Sequence, residues 1–160
     1  MVLKKCQING YQYGELKPNE QENLDGIALS GLHEIREAIK SEKSELQKYG
    51  TNSSSPSTAL NNQPYVTFFF MNLALCNSLI VDTKVNEVTG KKDFTYKAAS
   101  PDELALVLGA KNAGIELQSK EHKIVKVYNR VTKEHQSFKI IAEFPFDSIR
   151  KRMSVVLKDL

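Results

Sequence analysis

Two stretches of this sequence hold the side chains that could do chemistry. The first, residues 96–107, sets the carboxylates of Asp102 and Glu103 directly in front of an apolar run. The second, residues 144–156, combines a basic tripeptide at 150–152 with aromatic and hydroxyl side chains. Taken alone, the first stretch predicts a helix start whose carboxylates complement the helix dipole. The second predicts a basic turn between two strands.

Few other groups in the chain are suited to catalysis. It has no Walker P-loop, no Gly-x-Gly-x-x-Gly sequence and no metal-binding spacing of Cys and His. His33, His122 and His135 stand among polar residues, which favours solvated side chains. Cys76 stands in an apolar segment and is expected to be a buried, inert thiol. The sequence therefore predicts no metal site and no catalytic residue in this chain.

Length and composition narrow the class of protein. A chain of 160 residues suits one domain with a real core, and 41% hydrophobic with 26% charged residues excludes global disorder. Two Cys indicate no disulfide scaffold and favour a reducing compartment. The net charge of +3 does not by itself indicate nucleic-acid binding. The surplus is uneven, since residues 1–80 carry −1 and residues 81–160 carry +4.

The first part of the chain predicts a hairpin, a loop and a helix. Residues 2–14 contain the turn signal Asn9-Gly10 between short apolar runs, which predicts a hairpin. The polar residues 15–30 predict a loop. Apolar residues recur at helical spacing from Leu32 to Tyr49, and Gly50 is expected to end that helix.

The middle of the chain changes composition abruptly. The Ser-, Asn- and Pro-rich segment at about 51–64 predicts a flexible low-complexity insertion. Tyr65–Ile80 follows as an apolar segment that is shorter than the roughly 20 residues of a membrane span, and this favours a buried core helix. Val85–Ala98 predicts a second hairpin.

The clearest local signal surrounds the first chemical stretch. Ser100 as N-cap, Pro101 at the first helical position and Glu103 two residues later predict a capping box. The helix should run to Ala113 and end at Gly114.

The last third of the chain predicts strands separated by polar turns. The pattern indicates an α+β fold, with an antiparallel β-sheet flanked by helices. The predicted strands are Ile115–Leu117, Ile124–Tyr128, Phe138–Phe144 and Met153–Leu157.

Together the two chemical stretches resemble a known family. Ser-Pro-Asp-Glu-Leu-Ala-Leu-Val and Phe-Asp-Ser-Ile-Arg-Lys-Arg-Met-Ser-Val are similar to sequences of the nucleotide-binding (N) domain of P-type ATPases, in the branch that translocates phospholipids. The resemblance covers nearly the whole chain, although Asn77 stands where the family usually has His. The phosphorylated-Asp loop Asp-Lys-Thr-Gly-Thr and the later Lys-Gly-Ala segment are absent from this sequence. We therefore expect residues 1–160 to form a partial N domain that is inactive alone.

The resemblance implies an ATP site with four contact residues. Phe146 would stack on the adenine ring, and Glu103 would accept a hydrogen bond from the adenine amino group. Ser148 would lie beside the nucleotide, and Lys151 would act as a point charge near the adenine and the phosphates. The supporting positions are Asp102, Phe144, Arg150 and Arg152.

The choice between two aromatic residues stays open at this point. Strict alternation would put Phe144 and Phe146 on the same face of a regular strand. Pro145 between them is expected to interrupt such a strand. The spacing from Lys151 favours Phe146.

For the parent protein, the resemblance implies that ATP is presented to a phosphorylatable Asp on another domain, which couples hydrolysis to phospholipid translocation. The implied partners are the phosphorylation and actuator domains of the same chain, and phospholipid through a membrane domain. Mg²⁺ would be bound mainly outside this chain, which would be a cytoplasmic domain of an integral membrane protein. A regulatory flippase-like module of a fusion enzyme is an alternative. A further alternative is a basic module that binds anionic lipid or RNA through residues 150–152, with strong salt dependence.

Overall fold

A computed structural model describes residues 2–14, 31–49, 64–85, 90 and 92–160 of the chain. Within these ranges it contains three helices and eight strands. The helices are α1 (Leu32–Tyr49), α2 (Tyr65–Leu75) and α3 (Pro101–Ala113). The strands are β1 (Cys6–Ile8), β2 (Tyr11–Tyr13), β3 (Ile80–Val85), β4 (Lys92–Lys97), β5 (Ile115–Glu121), β6 (Ile124–Asn129), β7 (Glu134–Asp147) and β8 (Arg152–Asp159).

The strands form one main sheet and two hairpins. Strands β5, β6, β7 and β8 are neighbours in that order in a four-stranded sheet, while β1–β2 and β3–β4 are two-stranded. Every pair is antiparallel. The predicted α+β class with an antiparallel sheet is therefore confirmed. All four strands predicted in the last third are present, and each extends beyond its predicted bounds.

The hydrophobic core joins the main sheet to the helices. Ile115 and Leu117 of β5 alternate with more exposed residues and are fully buried, as is Ile39 of α1. Val125 and Val127 of β6 follow the same period of two and are 1% exposed. All of these side chains belong to one buried cluster with the inner faces of α2 and α3.

The N-terminal hairpin follows its predicted turn. Asn9 and Gly10 both have positive φ, of 49° and 85°, as a type I′ turn requires. The paired strands are shorter than the apolar pattern suggested, since β1 begins only at Cys6. Helix α1 has its predicted bounds. The predicted loop at 15–30, the stop at Gly50 and the insertion up to residue 63 lie outside the described residues.

The first turn of helix α2 is capped by a residue of α1. The carboxylate of Glu42 accepts hydrogen bonds from the backbone amides of Val66 and Thr67 at 2.8 and 2.9 Å. These amides have no partner within the first turn of a helix, so Glu42 replaces the missing N-cap side chain. The prediction that this segment forms a buried core helix is confirmed, since five residues of the helix are buried. No helix in the described part of the chain combines the length and the apolar character that a membrane crossing needs.

The predicted end of α2 at Ile80 is wrong, because the helix ends at Leu75. Asn77 is 2% exposed and closes the end of the helix. Its side-chain amide donates to the Ala74 carbonyl at 2.8 Å, and its Oδ1 accepts from the Leu79 amide at 3.2 Å. The chain therefore turns after Asn77 and enters β3, so the second hairpin starts at Ile80 rather than Val85.

Helix α3 has both of its predicted ends. The Ser100 hydroxyl accepts from the Asp102 amide at 3.3 Å, and Pro101 is the first helical residue. Gly114 ends the helix with φ of 114°, and its amide donates to the Ala110 carbonyl at 3.1 Å. A side chain at this φ would be strained, so glycine is required here.

An ion pair between α1 and the start of β7 gives a pH-dependent contribution to stability. Lys43 Nζ lies 2.8 Å from Glu134 Oε1. The hydrogen bonds from Lys43 and then Thr132 hold the pKa of the Glu134 carboxyl below its ordinary value. A depressed folded-state pKa stabilises the fold above the ordinary Glu pKa, and this contribution is lost as pH falls through the lower folded value.

We expect Glu134→Gln to lower the free energy of unfolding near neutral pH by about 0.2–1 kcal/mol, since the pair is half exposed and screened by solvent. The difference from wild type should shrink below about pH 4, where unfolded Glu is protonated. Urea unfolding near neutral pH and below about pH 4 measures this difference in stability. Glu121→Gln, at an exposed position, is the control. A difference that persists undiminished in acid would contradict the account.

Candidate functional site

A cleft of about 500 Å³ opens where the ends of several elements meet at the main sheet. It is lined from the segment after α2, the first turn of α3, the end of β5 and the facing ends of β7 and β8. The lining includes Ser78, Glu103, Lys120, Glu143, Phe146 and Met153. A volume of this size is typical of small-molecule sites.

Glu103 projects from the first turn of α3 and does not complete the predicted capping box. Its Oε2 accepts from the Ser78 amide at 3.0 Å and from the Ser78 hydroxyl at 2.7 Å. The reciprocal bond to the Ser100 amide is replaced by these two bonds. The physical reason is tertiary, because the early end of α2 brings Ser78 to the start of α3. The carboxylate is thus held at the cleft by a residue that sequence analysis did not select.

Lys120 is a second lining residue that the sequence analysis missed. Its side chain is 14% exposed, and its Nζ lies 2.7 Å from Glu143 and 2.5 Å from the Asn77 carbonyl. The register of β5 against β6 shifts between Leu117 and Ser119, so simple alternation from Leu117 does not give the side on which Lys120 lies. No motif marks this lysine in the sequence.

Phe146 lines the cleft, and Phe144 does not. Strand β7 continues through Pro145 to Asp147, so the expected interruption at Pro145 is wrong. The pairing with β8 instead shifts register between Phe144 and Asp147. Such a bulge accommodates a proline without ending the strand. The Phe144 ring lies 5.8 Å from the Arg150 guanidinium, and Phe146 remains 64% exposed.

The turn between β7 and β8 carries the other predicted contacts. Asp147 Oδ1 accepts from the Ile149 and Arg150 amides at 2.8 Å each, which fixes the turn. Lys151 has φ of 52°, and its amide donates to the Asp147 carbonyl at 2.6 Å. Ser148 and Lys151 are exposed beside the cleft rather than among its lining residues. The structure therefore places Glu103 and Phe146 in the lining of one cleft, while Ser148 and Lys151 lie in the turn that follows Phe146.

The remaining candidates are not among the residues that line the cleft. Asp102 is exposed on the outer side of the first turn of α3, and Arg152 is exposed at the start of β8. Arg150 donates to the Ser154 hydroxyl at 3.2 Å. Cys76 is half-buried rather than buried, and this burial raises the pKa of its thiol. The described residues contain no group of three or more His, Cys, Asp or Glu side chains that could hold a metal ion.

These features define an α+β domain with an antiparallel sheet and a cleft that combines apolar walls with the Glu103, Lys120 and Glu143 side chains. The family model for the P-type ATPase cytoplasmic domain N matches residues 69–160, which is more than half of the chain. The chain therefore belongs to this family. The predicted resemblance to the N domain of phospholipid-transporting P-type ATPases is confirmed.

Several relatives are named as phospholipid-transporting ATPases. Phospholipid-transporting ATPase ID of Mus musculus is 31% identical over 163 residues, and phospholipid-transporting ATPase IC of Homo sapiens is 28% identical over 172 residues. Each alignment covers 99% of this chain. Phospholipid-transporting ATPase 11C of Mus musculus is 38% identical over 89 residues, which is 53% of this chain and 8% of that relative. The chain spans about 12% of the length of the first two relatives.

Proposed function

We propose that this chain forms the ATP-binding part of a phospholipid-translocating P-type ATPase. The observation that carries the proposal is the shared cleft of Glu103 and Phe146, which are 43 residues apart in sequence. One supplies a carboxylate acceptor and the other an exposed aromatic face. Membership of the domain N family and the names of the relatives support the same conclusion.

The adenine end of ATP fits the chemistry of this cleft. The exposed ring of Phe146 offers a face on which adenine can stack. Both recorded hydrogen bonds of Glu103 use Oε2, so Oε1 can accept from the adenine amino group. A guanine base has a carbonyl at the corresponding position and would repel the carboxylate. The cleft should therefore prefer ATP to GTP.

The phosphate end is assigned to the β7–β8 turn. Ser148 and Lys151 are exposed there beside Phe146, and Arg150 and Arg152 add positive charge. Lys120, by contrast, is neutralised by Glu143 and serves to fix the wall of the cleft. Among these cations, the family resemblance favours Lys151 as the group that meets a phosphate of a bound nucleotide.

In the parent protein the chain would present the γ-phosphoryl group to an Asp on another domain. Positioning and charge neutralisation are the main tasks of the protein in such a transfer. The phosphorylation and actuator domains of the same polypeptide would be its partners, and phospholipid would be moved by a membrane domain. The chain would then be a cytoplasmic domain of an integral membrane protein. We assign the Mg²⁺ of the cycle mainly to residues outside this chain.

A pair of adjacent acidic residues tests the proposal. We expect Glu103→Ala to weaken ATP binding about tenfold, because a hydrogen bond to a charged group contributes about 1.5 kcal/mol. Asp102→Ala removes the same charge one residue away, outside the cleft, and should leave the affinity nearly unchanged. ATP titration followed at the Ser148 amide measures both. Equal losses in the two variants, or none in Glu103→Ala, would overturn the proposed site.

Ser78 should act as a positioning residue for Glu103. We expect Ser78→Ala to weaken ATP binding by about 0.5–1.5 kcal/mol, roughly two- to twelve-fold, because the 2.7 Å hydroxyl bond to Glu103 is lost. Ser78→Thr keeps the hydroxyl and should restore the affinity. The same titration measures both variants. A Thr variant as weak as the Ala variant would argue against this role.

A further inference from the structure

A second cleft lies at the opposite end of α3 from the proposed ATP cleft. It has a volume of about 570 Å³ and lies between α1, the turn from β6 to β7, and Gly114 at the end of α3. Glu103 stands in the first turn of α3 and Gly114 directly follows its last residue. The 13 residues of α3 span about 20 Å, so the two clefts are separate sites.

The lining of this second cleft is strongly basic. Its cations are Arg36, Lys40, Arg130 and Lys133, and His33 lies among them. Glu37 is the single carboxylate among the lining residues, and it is already paired with Lys40 at 2.6 Å. Within the part of the chain that the structure describes, no ion pair is recorded for Arg36, Arg130 or Lys133.

Both arginine side chains are held by backbone carbonyls at the end of α3. Arg36 Nη2 donates to the Asn112 carbonyl at 2.8 Å, and Arg130 Nη2 donates to the Lys111 carbonyl. Both carbonyls lie in the last turn of the helix, and the Lys111 carbonyl also accepts from the Gly114 amide at 3.1 Å, so one role of the arginines is to complete the cap of the helix. Each guanidinium has five N–H donors, and one donor of each is used in these bonds. The fixed forks can therefore present further donors to the cleft at a low entropic cost.

The other wall of the cleft is also held in place. Asn129 is 4% exposed, and its Oδ1 accepts from the Val131 and Thr132 amides at 3.0 and 3.1 Å. Lys43 ties the same turn to α1 through Glu134 at 2.8 Å and the Thr132 carbonyl at 3.3 Å. The turn that carries Lys133 is thus fixed against α1, and the cleft is formed before any ligand arrives.

We propose that this second cleft binds a diphosphate-type anion. Arginine forks match phosphate oxygens in pairs, and ammonium groups add compact positive charge. The volume suits a small molecule or a headgroup. A soluble polyphosphate and a lipid headgroup carrying a diphosphate offer the same chemistry, and the two sources are separated by experiment. This site is independent of the nucleotide cleft.

The test is a titration of the 160-residue chain with inorganic pyrophosphate, followed by amide NMR. Shifts are expected at Val131, Lys133 and Lys40, unchanged in Phe146→Ala. Lys133→Asn should weaken binding about tenfold through loss of a charge-assisted contact, and Asn tolerates the φ of 62° at this position. Lys123→Asn is the matched control, because Lys123 is an exposed turn lysine with φ of 63° that lines neither cleft. Lys40→Gln gives a second, helical variant, which should also weaken binding because it leaves the Glu37 carboxylate unpaired in the cleft.

The source of the anion is tested with phosphatidylcholine vesicles containing diacylglycerol pyrophosphate, against phosphatidylcholine alone. Vesicle binding that depends on Lys133 assigns a lipid headgroup, and binding of pyrophosphate alone assigns a soluble anion. Several results would overturn the proposal. These are shifts that are absent or confined to the surroundings of Phe146, equal losses in the Lys133 and Lys123 variants, and Lys133-dependent binding of polyglutamate without binding of pyrophosphate.

Discussion

Phe70→Ala is expected to destabilise the domain by about 3–5 kcal/mol, the range measured for removing a buried Phe side chain. The Phe70 side chain is fully buried in α2, at the centre of the core cluster. Its ring also meets Phe69 edge-to-face at a centroid distance of 5.2 Å. Since whole domains are stable by only about 5–15 kcal/mol, this one change should remove a large part of the total. Urea unfolding measures the loss.

The same helix offers a matched control for this prediction. Phe68 is 58% exposed, two residues before Phe70, and Phe68→Ala should change the free energy of unfolding by only about 0.5 kcal/mol or less. Both substitutions remove the same atoms and introduce the same helix former. If the two variants lost equal stability, α2 would not be oriented as described.

Phe146→Ala is expected to weaken ATP binding by about 1–3 kcal/mol, roughly 5- to 150-fold, because base–aromatic stacking contributes that much. Phe146 lines the proposed ATP cleft and presents an exposed ring. The Phe146→Ala substitution should lower the free energy of unfolding only slightly, since an exposed ring buries little apolar surface in the free protein. The ATP dissociation constant, followed at the Ser148 amide, measures the effect.

Phe144→Ala is the control for the binding experiment. Phe144 is also an exposed aromatic residue of β7, but its ring faces Arg150 instead of the cleft. We expect this variant to keep nearly wild-type affinity for ATP. Loss of binding in Phe144→Ala alone would mean that the aromatic contact has been assigned to the wrong residue.

The elements that sequence analysis predicted well are those whose signals are local. The ends of α3 depend on Ser100, Pro101 and Gly114, each within a turn of the residues it caps. The β1–β2 hairpin depends on Asn9-Gly10, whose positive φ values are a property of the turn itself. Strands β5 and β6 follow from a period of two that the core imposes on them.

The misplaced boundaries depend on burial and strand pairing in the folded chain. Helix α2 looks continuous to Ile80 by hydropathy, but the buried Asn77 side chain ends it through short-range bonds to Ala74 and Leu79. Pro145 looks like a strand breaker, yet the shifted register between β7 and β8 accommodates it. A bulge and a buried capping side chain leave no periodic pattern in a sequence.

The residues of the candidate site were also predicted only in part. Glu103 and Phe146 were predicted through the family resemblance of their surrounding motifs. Ser78 and Lys120 were not, because their partners Glu103 and Glu143 lie more than 20 residues away in sequence. Motifs therefore predicted the groups that we propose to meet the ligand, while the structure shows which groups hold Glu103 and line the cleft beside it.

The most direct test of the central claim is an amide NMR titration of the chain with ATP, with pyrophosphate titrated in parallel. The nucleotide site predicts that shifts specific to ATP concentrate at Glu103, Phe146, Ser148 and Lys151. ATP-specific shifts that lie elsewhere, or their absence at these four residues, would contradict the assignment of this cleft as an ATP site.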